Sequence, residues 1–182
     1  MKTLIIGGAA SGKSQLAEDA ALRRDGLRYY IATMEPFGSE AAARIEKHHA
    51  MRAQKGFTTF ERYTNLAGLR LPAHGTVLLE CITNLVANEM FSPDGAASSA
   101  PEGTAEPAVI GAVLRGIDAL TEQAQHVIIV SGDVFADGQR YGEGTEAYMR
   151  SLAAVNRALA AGCDTVIEAV CGIAVYVKGG NP

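Results

Sequence analysis

Apolar and polar positions divide this chain into short apolar runs that alternate with amphipathic stretches. "KTLII" (2–6), "LRYYIAT" (27–33), "TVLLE" (76–80), "HVIIVS" (126–131), "DTVIEAV" (164–170) and "GIAVYVK" (172–178) are compact and rich in β-formers. They suit strands buried on both faces, as parallel sheets require. "FTTFERY" (57–63) is a further candidate strand. Between them, "KSQLAEDAALRR" (13–24), "SEAAARIEKHHAMRAQ" (39–54), "CITNLVANEMF" (81–91), "AVIGAVLRGIDALTEQA" (108–124) and "TEAYMRSLAAVNRALAAG" (145–162) carry apolar residues at helical spacing. Arg23 and Arg24 fall where a helix C-terminus favours cations, Ser39 is an N-cap, Gly56 a stop and Gly162 a C-cap. "SPDGAASSAPEGTAEP" (92–107) is small, polar and proline-containing, and "GDVFADGQRYGEG" (132–144) is glycine-rich, so both read as loops. The alternation predicts an α/β fold with a mainly parallel sheet flanked by helices. One domain spans 1–182, with a flexible surface insertion around 92–107.

Composition narrows the function classes. Hydrophobic residues make up 48% of 182 and charged residues 20%, with a net charge of −4. Such a chain has no global field that attracts nucleic acid or an anionic membrane. Its apolar runs are too short to span a bilayer. The chain opens directly on a strand pattern, without the features of a signal segment, which points to the cytoplasm. Cys81, Cys163 and Cys171 are odd in number and none are paired at Cys-x-x-Cys spacing. They suggest neither a disulfide framework nor a zinc site and read as buried thiols in strands.

Gly7-Gly8-Ala9-Ala10-Ser11-Gly12-Lys13-Ser14 satisfies G-x-x-x-x-G-K-[ST], with a strand before it and a helix after. Glycines let successive backbone N–H groups turn inward toward phosphate oxygens, and the helix adds its positive end. Lys13 is placed for the β- and γ-phosphates and Ser14 for Mg²⁺. A second Mg²⁺ ligand belongs at the end of a neighbouring apolar strand, where Glu80 closes "VLLE". This identifies a nucleoside triphosphate, ATP or GTP, without identifying the reaction.

"ARIEKHHAMR" (43–52) adds chemistry that a simple kinase does not need. On a helix Arg44, His48 and Arg52 share one face. A neutral imidazole is a competent nucleophile toward phosphorus, and flanking guanidiniums disfavour its protonation while gripping phosphate. His48 is therefore the candidate catalytic nucleophile of a covalent nucleotidyl enzyme. Adjacent His49 reads as a solvated residue, and His74 and His126 as structural ones.

"GGAASGKS", "YIATM", "ARIEKHHAMR", "GFTTFE", "LLECITNLVANEMF", "VNRALA" and "CGIAVYVKG" together resemble the bifunctional adenosylcobinamide kinase / adenosylcobinamide-phosphate guanylyltransferase family of cobalamin biosynthesis. The resemblance runs over nearly the whole chain, and R-I-x-x-H-x-x-x-R is far more specific than the phosphate loop. It implies a P-loop NTPase-like fold and a homo-oligomer, trimer or larger. It implies phosphorylation of adenosylcobinamide by ATP or GTP, then transfer of GMP from GTP onto that phosphate through a guanylyl-histidine. By position that histidine is His48, with neighbouring His49 the fallback and among the nucleotide-binding positions. Ala32, Thr33 and Met34 match a nucleotide-contacting segment, Glu61 and Glu80 match acids associated with the guanine nucleotide and its metal, and Arg52 matches the basic residue past the nucleophile. The chain departs from the family at Ala10, usually arginine, at Asn156-Arg157, usually Asn-Gln, and at "SGDVF" (131–135), often T-N-E-V-G, where Asp133 keeps the acid and Phe135 replaces glycine. Two alternatives stand beside this reading: a P-loop kinase of another small alcohol without a covalent intermediate, and a guanylyltransferase that has lost the kinase step. A nucleotide-binding switch subunit is a third, and it has no use for a nucleophile.

Overall fold

The structure is a computed structural model that describes residues 1–36, 54–134, 139 and 141–180. Most of the expected helix at 39–54, with Ser39, Arg44, His48, His49 and Arg52, lies outside the described residues, as does Phe135.

Among the described residues seven strands form a single sheet: β1 (Lys2–Gly7), β2 (Arg28–Ala32), β3 (Phe57–Glu61), β4 (Thr76–Glu80), β5 (His126–Gly132), β6 (Thr165–Val170) and β7 (Ile173–Lys178), in the order β3-β2-β4-β5-β1-β6-β7. Every pairing is parallel except that of β6 with β7, a hairpin closed by Cys171 and Gly172. Four helices of ten or more residues accompany it among the described residues: α1 (Lys13–Leu22), α2 (Ile82–Phe91), α3 (Ala105–Gln123) and α4 (Glu143–Gly162).

Strand alternation divides the core into two layers. Leu4, Ile31, Val77, Leu79, Val127 and Ile129 face α2, α3 and α4. Ile5, Tyr30, Leu78, Ile128, Val130 and Ile167 face the other way, toward Ala17 and Ala21 of α1. Apolar residues at both parities of each strand make the runs read as continuous in sequence.

Several local expectations shift. Arg23 is the C-cap of α1 and Arg24 lies beyond it, so neither occupies the last helical turn. Gly162 is the last residue of α4, and the cap is extended Cys163. No cysteine sits in a strand: Cys81 precedes α2, Cys163 follows α4, and Cys171 is exposed at a left-handed φ of 50°. In the segment 92–107, a 3-10 turn forms at Ala96–Ser99 and α3 starts at Ala105, earlier than the apolar periodicity suggests. Buried Glu89 holds this segment by accepting from the Ala96 N–H at 2.8 Å and from the Asn65 N–H at 2.7 Å.

Candidate active site

The C-terminal ends of β1, β5, β4, β2 and β3 share one edge of the sheet, where open α/β sheets hold ligands. β1 ends in buried Gly7, and the chain turns through Gly8 to Gly12 into α1. Ala10 at φ 54° and Gly12 at φ 89° both adopt left-handed backbone, and Gly12 is the N-cap. The space around Gly12 is closed, because a Cβ there would lie 2.8 Å from the Cα of Gly172. The Gly172 N–H donates to the Ser11 carbonyl at 2.8 Å, so the β6–β7 hairpin buttresses the loop from behind. Lys13 folds over the loop, its ammonium donating to the Gly8 carbonyl at 2.7 Å. The Asp133 N–H, just past β5, donates to the Gly7 carbonyl at 3.0 Å.

Glu80 is the centre of the polar contacts. Its Oε1 accepts from the Ser14 hydroxyl in the first turn of α1. Its Oε2 accepts from the Tyr30 hydroxyl at 2.6 Å. The pair expected from spacing, Ser14 and Glu80, is thus brought together across a sequence separation of 66. A hydroxyl and a carboxylate are hard oxygen donors, and Mg²⁺ takes one or two carboxylates plus phosphate and water. No group of three or more His, Cys, Asp or Glu that could hold a metal occurs among the described residues. The arrangement fits an ion that shares its shell with phosphates and does not resemble an all-protein metal cage.

Strand register sets the rest of the rim. Ala32 pairs with Glu80 on one side and with Glu61 on the other. Thr33 is fully buried and pinned: its N–H donates to the Glu80 carbonyl at 3.0 Å, its hydroxyl donates to the Cys81 carbonyl at 2.7 Å and accepts from the Cys81 N–H at 2.7 Å. The Asn88 amide on α2 donates to the Thr33 carbonyl at 2.7 Å and to the Tyr63 carbonyl at 3.1 Å, tying the ends of β2 and β3 to the helix. Met34 follows, exposed. Glu61 accepts from the Tyr63 hydroxyl at 2.7 Å. Burial, then that bond and the charges of Glu61 and Glu35, push the Tyr63 phenol up to about 12, so it stays a donor at neutral pH. Ala32, Thr33, Met34, Glu61 and Glu80 therefore share the loop's edge of the sheet, while His48, His49 and Arg52 lie outside the described residues.

Two contributors escaped the sequence reading. Tyr30 falls within "YIATM" and Asn88 closes the family pattern L-L-E-C-I-T-x-x-V-x-N at 78–88, yet the sequence assigns neither a contact. Asn156, noted only as a family position, supports the end of β5: its Oδ1 accepts from the buried Ser131 hydroxyl at 2.6 Å and its amide donates to the Gly132 carbonyl at 3.3 Å.

The profile of the cobinamide kinase / cobinamide phosphate guanyltransferase family (CobU) matches residues 3–177. This chain belongs to that family. It is 33% identical over 186 residues to the bifunctional adenosylcobalamin biosynthesis protein CobU of Escherichia coli (strain K12), covering 98% of this chain and 100% of the relative. It is 35% identical over 187 residues to the protein of the same name from Salmonella typhimurium (strain LT2), with the same coverage of 98% and 100%. The bifunctional adenosylcobalamin biosynthesis protein CobP of Pseudomonas aeruginosa is 29% identical over 181 residues, 98% of each chain. Among solved structures, an ATPase from a type III secretion system of pathogenic bacteria superposes with a TM-score of 0.55 at 11% identity. That likeness covers 96% of this chain and 57% of the ATPase, and it shows the P-loop NTPase fold. No helix among the described residues is long and apolar enough to cross a membrane.

Proposed function

We propose that this chain carries out two successive transfers in cobalamin biosynthesis: phosphorylation of adenosylcobinamide, and guanylylation of the resulting phosphate. The observation that carries the reading is full-length membership of the kinase/guanylyltransferase family joined to a phosphate loop whose Ser14 meets Glu80. In the kinase step the hydroxyl of adenosylcobinamide attacks the γ-phosphorus of ATP or GTP. The bond to the β,γ-bridging oxygen breaks, the diphosphate departs, and the hydroxyl proton is released. The loop's backbone, Lys13 and the positive end of α1 hold the phosphates and spread the charge. Mg²⁺, held by Ser14 and Glu80, would supply further neutralisation of that charge.

In the second step His48 attacks the α-phosphorus of GTP and the bond to pyrophosphate breaks. The phosphate of adenosylcobinamide phosphate then attacks the same phosphorus, the P–N bond breaks, and His48 is regenerated as adenosylcobinamide-GDP leaves. The R-I-x-x-H-x-x-x-R pattern at 44–52 supports this assignment, with Arg52 four residues on to grip phosphate and His49 as the neighbouring fallback. Ala32, Thr33, Met34 and Glu61 are assigned to the nucleotide, because they share the rim with Glu80. The reading includes a single domain, a cytoplasmic location, where ATP and GTP are supplied, and assembly into a trimer or larger. Ile173, Val175 and Val177, exposed at alternate positions on one face of β7, support assembly, since a run of exposed apolar side chains fits an interaction surface.

The test is incubation with Mg²⁺ and GTP radiolabelled at the α-phosphate, followed by a denaturing gel. A guanylyl-histidine is a phosphoramidate, so the label survives alkali and is lost in acid. The expected result is label in the wild type and in His49→Ala, and none in His48→Ala. A protein that binds GTP without becoming labelled overturns covalent guanylyl transfer.

A further inference from the structure

We propose that Tyr30 is a positioning residue for the metal-bound nucleotide: its hydroxyl fixes Glu80 in the orientation that presents one carboxylate oxygen to the cation beside Ser14. This rests on the assignment of Ser14 and Glu80 to Mg²⁺.

The geometry comes from sheet register. Glu80 pairs with Ala32, and Tyr30 stands two residues before Ala32, so both side chains leave the same face of the sheet. They are diagonal neighbours on adjacent parallel strands, a separation that a tyrosine bridges and a shorter side chain does not. That face is the one covered by α1, so the phenol lies beneath the helix whose first turn carries Ser14. The Tyr30 ring is 2% exposed and packs edge-on against Phe57 with ring centroids 6.2 Å apart, which holds the hydroxyl in place from below.

The two oxygens of Glu80 thus have different surroundings. Oε2 is committed to a rigid, buried donor at 2.6 Å. Among the described residues Oε1 meets Ser14 alone, an exposed side chain at a helix start, and both can turn from each other to a shared cation. A flexible glutamate has three side-chain torsions to fix, and a bond from a packed phenol removes most of that freedom before the metal arrives. Donors of this kind, one shell out from a ligand, typically govern metal affinity by 10–100-fold. Since Mg²⁺ here takes much of its shell from phosphate and water, the low end applies, about tenfold.

The experiment uses the full chain and Tyr30→Phe, which keeps the ring against Phe57 and deletes only the hydroxyl. A fluorescent GTP analogue is titrated at a series of Mg²⁺ concentrations and, separately, in EDTA. The expected result is an approximately tenfold rise in the Mg²⁺ concentration for half-maximal enhancement of binding, with affinity in EDTA unchanged. Glu80→Gln is run in parallel and shifts the same Mg²⁺ midpoint, and the double variant adds little beyond Glu80→Gln alone. A wild-type Mg²⁺ midpoint in Tyr30→Phe, with Glu80→Gln shifted, overturns the role of Tyr30 and leaves the metal assignment standing. An unshifted midpoint in Glu80→Gln overturns the metal assignment and the proposal with it. Equal loss of binding with and without Mg²⁺ in Tyr30→Phe shows a role in pocket integrity alone and also overturns the proposal.

Discussion

Replacing Gly12 by alanine tests whether the hairpin between β6 and β7 shapes the phosphate loop. Two separate costs meet at this position. The backbone sits at φ 89°, where a residue bearing a Cβ pays roughly 1–2 kcal/mol. The new methyl would also lie 2.8 Å from the Cα and 3.2 Å from the nitrogen of Gly172. That neighbour is backbone in a two-residue hairpin turn, with Cys171 at φ 50° and Gly172 at φ 82°, so it cannot swing aside as a side-chain end would. Forcing an extra carbon into a closed contact costs about 1–3 kcal/mol. Together about 3 kcal/mol is expected, which for a domain of this size lowers the melting midpoint by about 6–12 °C. Displacing Gly172 would also break its N–H bond to Ser11 and loosen the loop. The assay is thermal unfolding without nucleotide, because bound ligand would add its own stabilisation. Gly8→Ala is the control: its Cβ would meet nothing within 4 Å, and its φ lies outside the left-handed region, so its midpoint should stay within about 2 °C of wild type. A Gly12→Ala midpoint equally close to wild type would refute the reasoning.

Two further outcomes follow from titratable groups. Burial, helped by the Arg24 guanidinium and the N-terminal ammonium, holds the His126 pKa below its ordinary value, so the unfolded chain takes the proton more readily. This contribution to stability is complete above the unfolded value of about 6.5 and is lost as pH falls through the folded one; His126→Phe should therefore flatten the fall in melting midpoint as the pH drops from about 7 to about 5. Among the thiols, burial pushes Cys163 up to about 11 and also raises Cys81, whereas Cys171 stands exposed at the hairpin tip. Titration of the native protein with a disulfide reagent should show one fast thiol, absent in Cys171→Ser; a fast phase that survives that substitution counts against the assignment.

The parts of the fold legible in sequence were those written locally. The interior strands are runs whose apolar residues serve both layers of the core, so "TVLLE" and "HVIIVS" announce themselves without any partner, whereas the apolar run of β7 leaves Ile173, Val175 and Val177 exposed and is not buried on both faces. The phosphate loop is legible for the same reason: eight consecutive residues carry the turn, the cation and the hydroxyl. Helix ends were less legible, because Arg23 and Gly162 satisfy the residue preferences for a terminus while the hydrogen-bonding pattern ends one position away from where those preferences put it. The segment after α2 misled in a different way. Its small polar composition matches a free loop, yet Glu89, buried six residues before Gly95, accepts from its backbone. A buried carboxylate in a helix reads as an ordinary polar position until the chain that caps it is known.

At the candidate site the meeting of Ser14 with Glu80 was legible in the sequence, and the contacts that support the two were not. Ser14 and Glu80 could be paired from sequence because a chemical requirement, two oxygen ligands for one ion, links them across 66 residues. No such requirement links Tyr30 to Glu80, or Gly12 to Gly172. The first pairing exists because β2 and β4 are adjacent with Ala32 opposite Glu80, a register that follows from the whole sheet. The second exists because β6 lies against β1 and turns back at the height of the phosphate loop. Residues that touch phosphate are constrained by the ligand's chemistry and so leave a motif. Residues that hold those residues are constrained only by the fold, and many side chains and turns satisfy a fold. Geometry is therefore what assigns Tyr30 and Gly172 their places, and the Mg²⁺ midpoint of Tyr30→Phe and the melting midpoint of Gly12→Ala measure those two places independently.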